Sequence, residues 1–388
     1  LLLARGPRVR LDAEQVREQI RSGRVGALFN GVGAAEGREA QRIAVEESRL
    51  GIPLLLGADV IHGMRTVFPI PLGEAASFEP DLAERTARAT AKEATAAGIH
   101  WTFAPMVDVA RDQRWGRVAE TSGEDVYLSC EFAAARVRGF QGGDLTAPDS
   151  LLTTPKHFAA YGAISAGLDY NFVDMAPQTL RDVHLPPFKA ALDAGALTLM
   201  SSFNDINGVP ASANRELLTD ILRGEWKFEG FVVSDYTSDL ELVAHGYAAD
   251  EADAAQKALS AGLDMSLQSG VYANHVAALV EQGGLSMEEV DEAVRRGLHV
   301  QAAAGLFDDP YRCLDAAREA DQSHIPAHDA LARDCARRSI VLLKNDGDVL
   351  PLKKSGKRIA LIGPFAQDTA HLGGCWNIFG DASRMVDL

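Results

Sequence analysis

Thiol chemistry has little to work with in this sequence. The 388 residues include four cysteines, Cys130, Cys313, Cys335 and Cys375, placed singly with no CxxC pair. That spacing excludes a disulfide scaffold and a thiolate metal centre, and leaves the plain reading of small buried hydrophobes. Long apolar runs are also missing: none approaches the ~20 residues needed to span a bilayer, so no transmembrane helix is expected. Positive charge is in short supply, with 38 Lys and Arg against 54 Asp and Glu and a net charge of −16. A surface of that sign repels phosphates and anionic lipid, so neither nucleic acid nor membrane is expected as a partner, and a small neutral substrate fits better. There is no solenoid-period repeat and no low-complexity segment. The chain opens on LLLARG without methionine, charged n-region or cleavage site. A signal peptide is therefore expected only upstream, and the compartment stays open. SRMVDL closes the chain with no terminating pattern, so a longer protein is expected on both sides.

What the sequence does have is a rhythm of short apolar runs alternating with amphipathic stretches, the pattern of βα units around a parallel sheet. Eight runs qualify as strands: 1–4, 25–30, 53–60, 101–108, 151–158, 196–204, 231–236 and 262–267. Helical patterns lie between them, for example at 81–98 and 286–306. Eight such units over roughly 310 residues predict an α/β fold, a TIM-type (β/α)8 barrel with one long insertion, rather than an open sheet. The expected boundaries are a barrel over 1–310, a connecting region over 311–345, and the start of a second α/β-sandwich domain over 346–388. In this scheme 325–343 is a helix and KRIALIGPFA at 357–366 a buried strand.

Strands of a parallel barrel are covered on both faces and should be apolar throughout, so a polar residue at a strand's C-terminal end asks for a reason. Asp59, Asp108, the Lys156-His157 pair, Asn204 and Asp235 all stand at such ends. In a closed barrel these ends converge on one mouth, which suits a polar substrate. Each has a bland alternative. Asp59 or Asp108 alone can be a helix N-cap, Lys156 and His157 a solvated loop pair, and Asp235 a cap as well. Asp239, four residues on, fits a helical surface role. The insertion ARDQRWGRVAETSGED at 110–125 has the composition of an active-site wall, with Arg117 forking hydrogen bonds to vicinal hydroxyls. For Glu120, Glu124 and Asp125 an ion-pair network that fixes the loop is an equal alternative.

GADVIHGMRTVFP, VDVARDQRWGRVAETSGED, PKHFAAYGA and FVVSDY, four separate motifs in the right order, resemble glycoside hydrolase family 3, and among its members the bacterial periplasmic-type β-glucosidases. ARRSIVLLKNDGDVLPLKK extends the likeness towards the family's second domain. The resemblance implies a retaining, exo-acting β-glycosidase, a β-glucosidase acting on non-reducing terminal glucosyl residues of short oligosaccharides or aryl glucosides. It makes Asp235 the nucleophile, and Asp59, Arg117, Lys156 and His157 ligands of the −1 sugar. Lys156 and Arg117 are then expected to lower the pKa of Asp235 by favouring its charged form. No cofactor and no metal are expected. The resemblance places the general acid in the second domain, beyond residue 388, with Glu120 and Asp108 as in-chain fallbacks. It favours a periplasmic or secreted location, with the cytoplasm and a homodimer left open.

Two departures from the family pattern bear on specificity. KHFAAYGA lacks the second His of the N-acetylglucosaminidases. Tyr236 and Phe203 stand where many relatives carry Trp and Tyr, which puts the aglycone preference in doubt. GGCWNIFGD resembles the second-domain loop that returns to the barrel, making Trp376 a candidate stacking platform, or else a core tryptophan. β-Xylosidase or mixed specificity, and a carbohydrate-binding homologue without turnover, remain as alternatives. A nucleotide site is disfavoured: GVGAAEG at 31–37 follows a strand and opens a helix, but Glu36 stands where the dinucleotide fingerprint needs Gly.

Overall fold

The computed structural model describes residues 2–3, 14–31 and 33–386. Four short strands, β1 (Leu2–Leu3), β2 (Ala27–Phe29), β3 (Leu55–Ala58) and β4 (Trp101–Thr102), pair in parallel in chain order. Single parallel bridges carry the sequence of neighbours onward. Trp101 pairs with Leu152, Met106 with Lys156, and Phe158 with Ser201 at the end of β5 (Thr198–Met200). After β5 comes a small antiparallel hairpin of β6 (Asp205–Ile206) and β7 (Val209–Pro210). β5 pairs in parallel with β8 (Phe231–Val233), and Val233 bridges to Met265.

This consecutive parallel order is the barrel arrangement the sequence predicts. Residues 151–158 and 262–267 take part as isolated bridges instead of ladders. In the first of these Pro155 has no N–H to donate. Of the run at 1–4, residues 1 and 4 lie outside the described residues. The barrel interior is filled by Leu55, Trp101, Phe103, Leu152, Phe231 and Val233 among others. Trp101 is placed by its own polar atom: Nε1 donates to the hydroxyls of Thr154 (2.6 Å) and Thr198 (3.0 Å), one from each of two later segments.

Outside the strands the helices bury alanine-rich faces. Pro80–Ala96 starts on a proline, whose missing N–H costs nothing in the first turn, and buries Ala83, Ala87, Ala91 and Ala94. It packs on Val126–Gln141, which Asp125 caps by accepting from the Leu128 N–H at 2.7 Å. Gly139 sets the closeness of that pair, because a Cβ there would overlap the Glu84 carbonyl oxygen. Met287–Ala303 opens with a reciprocal capping box between Ser286 and Glu289. The helix Ala34–Arg42, which follows the glycine-rich turn, has its N terminus already occupied: Glu319 accepts from the Ala34 N–H at 2.8 Å. A carboxylate of the chain itself thus fills the place a pyrophosphate would need.

The connecting helix Pro326–Arg338 docks on the barrel. His328 Nδ1 lies 2.6 Å from Glu93 Oε1, and Glu93 also accepts from the backbone N–H groups of Arg65 and Thr66 and from the Thr66 hydroxyl. The buried strand expected at 357–366 does not form. Ile359, Leu361 and Ile362 are exposed and the segment has no strand geometry. A strand needs a hydrogen-bonding neighbour and an apolar layer, and neither stands beside this run among the described residues. All four cysteines are free, with Cys313 and Cys335 buried and the other two half-buried.

Candidate active site

At the C-terminal ends of the barrel strands lies a cavity of about 360 Å³. Its wall includes Asp59, Arg117, Lys156, Asp235, Tyr236, Phe203 and Trp376, all singled out in the sequence. His157, expected as a ligand of the −1 sugar, is fully buried directly behind them. The loop bearing it can lie against the strand end that carries Asp108 because position 162 is glycine: a Cβ there would overlap the Val109 carbonyl.

These residues form two charge-assisted groups. Lys156 Nζ donates to Asp59 Oδ1 at 2.9 Å, both side chains being buried. Arg117 grips Glu120 through Nε (2.7 Å) and Nη2 (3.0 Å), and the same Nη2 lies 3.0 Å from His157 Nε2. Since a guanidinium only donates, His157 Nε2 accepts, and the ring's proton belongs on Nδ1. That nitrogen faces Asp108 Oδ2 at 2.9 Å, an oxygen that also accepts from the His157 backbone N–H. Burial, then the nearby Arg117 and Lys156 charges, hold the imidazole well below its ordinary pKa, so it is neutral. Asp108 is pushed up to about 7, burial outweighing those hydrogen bonds.

Asp235 sits among these groups with one oxygen engaged and one free. Oδ1 accepts from the Tyr236 N–H at 2.6 Å. Oδ2 has no hydrogen-bond partner and lies 3.3 Å from His157 Nε2, whose lone pair is already taken by Arg117. The expected effect of Arg117 and Lys156 on Asp235 is present in direction but loses to desolvation: burial raises the carboxyl to about 6, against the lowering by those two cations and the Tyr236 N–H. The acid therefore ionises later than an ordinary aspartate, not earlier.

Other expectations need revision. Asp239 is not on the surface: it is fully buried, caps the turn Leu240–Leu242 and accepts from the Ser269 hydroxyl at 2.9 Å. Asp108 and Glu120, the in-chain fallbacks for a general acid, are buried outside the cavity wall: Asp108 Oδ2 is engaged by His157 while its buried Oδ1 has no partner, and both Glu120 oxygens are held by Arg117. Trp115 is buried as well, donating from Nε1 to Asp169 at 2.9 Å, so the inserted loop offers the cavity Arg117 and not its tryptophan. Trp376 is no core residue. It is 41% exposed at the cavity rim, with its ring centre 5.4 Å from Lys156 Nζ and 6.0 Å from Arg117 Cζ. The Cys375 carbonyl beside it bonds His62 Nε2 of the barrel, which ties this late segment to the mouth.

Four wall residues with polar side chains were not anticipated: Asn30, Tyr170, Thr237 and Glu241. Asn30 closes the strand run at 25–30 and meets the same strand-end criterion that singled out Asp59. Glu241 is half-buried and raised to about 7, by burial first and by the charges of Asp235 and Asp239, with the Thr237 hydroxyl opposing. Nothing in the local pattern marks Tyr170, which lies in an irregular stretch and reaches the wall by packing on Phe203 at 4.6 Å. Asn204, the remaining strand-end residue, is fully buried and bonds the Ser202 hydroxyl and the Ala159 carbonyl.

Residues 5–300 match the glycosyl hydrolase family 3 N terminal domain, and residues 340–385 match the C-terminal domain of the same family. The chain belongs to glycosyl hydrolase family 3. It is 45% identical over 379 residues to a periplasmic β-glucosidase of Salmonella typhimurium, covering 97% of this chain and 49% of the relative. A putative β-xylosidase of Formosa agariphila is 35% identical over 340 residues, covering 85% of this chain and 45% of the relative. Among solved structures, a β-glucosidase from Listeria innocua in complex with isofagomine superposes with a TM-score of 0.90 at 41% identity, covering 93% of this chain and 51% of the other. A mutant of that enzyme in complex with laminaribiose gives 0.89, covering 92% and 50%. The chain thus spans about half the length of the relatives it matches. The barrel of the family's N-terminal domain is the fold described above.

Proposed function

We propose that the protein is a retaining, exo-acting β-glucosidase, with Asp235 as nucleophile and glucosides of short oligosaccharides or aryl alcohols as substrates. The observation that carries this reading is the unpartnered Oδ2 of Asp235, set in a 360 Å³ cavity beside a row of fixed donors. Oδ2 attacks the anomeric carbon, the bond from that carbon to the leaving oxygen breaks, and a glycosyl ester forms. Water then opens the ester and returns the carboxylate. Asp59, Lys156 and Arg117 bind the hydroxyls of the −1 sugar, while His157 and Glu120 hold Arg117 in place. Charged hydrogen bonds of this kind strengthen as the ring flattens and together contribute several kcal/mol. Tyr236 and Trp376, both exposed at the rim, flank the aglycone. The general acid that protonates an alcohol leaving group is expected from the family's second domain. The name of the Salmonella relative supports a periplasmic location.

Trapping with 2,4-dinitrophenyl 2-deoxy-2-fluoro-β-glucoside tests the assignment directly, because this leaving group departs without a proton donor. Mass spectrometry should find one fluoroglucosyl unit on the peptide containing Asp235. Label on another residue, or unchanged turnover of 2,4-dinitrophenyl β-glucoside by Asp235→Ala, would refute it.

A further inference from the structure

We infer that Asn30 is a specificity-determining residue, whose side-chain amide takes the exocyclic hydroxymethyl group of the −1 sugar and so distinguishes hexosides from pentosides. The inference rests on the glycosidase reading and extends it.

Two independent observations meet at this residue. Asn30 lines the cavity, yet its buried Oδ1 has no hydrogen-bond partner. Among the described residues its one hydrogen bond is from the backbone N–H to the Gly57 carbonyl at 2.8 Å, and the side chain makes none. A buried amide oxygen without a partner carries a desolvation penalty, and such an orphan is explained when a ligand satisfies it.

The second observation is where Asn30 stands. Following the strand pairings around the mouth, Asn30 ends β2 and Asp59 follows β3. Lys156 and His157 come next, beyond β4, then Met200 at the end of β5, Asp235 after β8, and Leu267 beyond the Met265 bridge. Two arcs therefore join Asp235 to Asp59. One carries Arg117, His157 and Lys156. The other carries Thr237, whose N–H bonds the Leu267 carbonyl, then Leu267, Phe29 and Asn30, and no cation.

A pyranose has the same division. With C1 at Asp235 and C4 towards Asp59, one edge bears the vicinal hydroxyls of C2 and C3 and the other bears the ring oxygen, C5 and its substituent. The cationic arc suits the vicinal hydroxyls, since Arg and Lys present several donors to adjacent oxygens. The arc without a cation suits the C5 edge, where the polar atom outside the ring is the hydroxyl of the hydroxymethyl group. A pentopyranose has hydrogen in its place and would leave Asn30 unsatisfied. Rejection of a substrate that lacks the expected hydroxyl follows from such a stranded amide.

The test is a ligand-observed NMR titration of the full chain with D-glucose and with 6-deoxy-D-glucose. Asn30→Ala should weaken glucose binding by roughly three- to tenfold, the range for one hydrogen bond, and leave 6-deoxyglucose within about twofold. Asn30→Leu, close to isosteric, should repeat that pattern should the alanine variant fold poorly. Equal loss for both sugars, or no loss for glucose, overturns the inference while the glycosidase reading stands. If the unaltered protein binds neither sugar, the glycosidase reading fails and this inference fails with it.

Discussion

Asp235 carries a cost in the empty protein that its chemistry explains. Its carboxyl is raised to about 6 mainly by burial, so the ionised form is disfavoured in the fold relative to the unfolded chain. A group whose pKa rises on folding contributes stability that is complete below its unfolded value near 4 and is lost as pH climbs through 6. Asp235→Asn, which cannot ionise, should therefore be the more stable protein by about 3 kcal/mol at pH 8. That advantage should vanish towards pH 4, as read by denaturant unfolding at the two pH values. Activity runs the other way: only the carboxylate attacks, so kcat/KM for an aryl β-glucoside should fall below about pH 6. An acid limb near 4 would show that the nucleophile is not held in this desolvated state. Most of this site could be read from the sequence, because charged residues at the ends of apolar strands are rare and convergent. Asn30 meets the same criterion, as the equally uncharged Asn204 does, but of the two only Asn30 lines the cavity. Burial was the part that could not be read: the resemblance implies that Lys156 and Arg117 lie near Asp235, but not how much water the fold removes.

Among the elements, the connecting helix Pro326–Arg338 shows what local pattern can and cannot predict. Its helical period was legible, whereas its docking on the barrel through His328 and Glu93 joins positions 235 residues apart. Burial raises Glu93, but the hydrogen bonds from His328 and Thr66 bring it below the ordinary range, so it remains charged in the fold. A hydrogen bond to a charged group of this kind contributes about 1.5–3 kcal/mol. His328→Ala should therefore speed amide exchange across 326–338 while leaving β3 and β8 protected, as followed by hydrogen exchange and mass spectrometry. Uniformly faster exchange would mean that the pair stabilises the whole molecule and not this helix. The apolar run at 357–366 makes the opposite point. Its composition is that of a strand, but a strand is completed by its neighbours, and composition does not reveal whether they are present.

For the molecule as a whole, the net charge of −16 sets what can approach it. An uncharged glycoside is neither drawn in nor repelled, so kcat/KM for a neutral aryl glucoside should change by less than about twofold between low and moderate salt. A steep salt dependence would point to a charged natural substrate. The barrel order was legible because parallel strands alternating with helices leave few topologies to choose from. The return of the late Cys375-Trp376 segment to the mouth was legible through the family resemblance alone, and its tie to His62 was not. The mouth differs along three directions: Asp59 and Asp235 on separate strand ends, an arc with Arg117 and Lys156 against one without a cation, and the buried His157 behind the wall against the exposed Trp376 indole at the rim. Three unlike pairs of ends fix handedness, as thumb, palm and fingers do in a glove. A mirror-image sugar, chemically identical in every functional group, could match two of these directions only by failing the third.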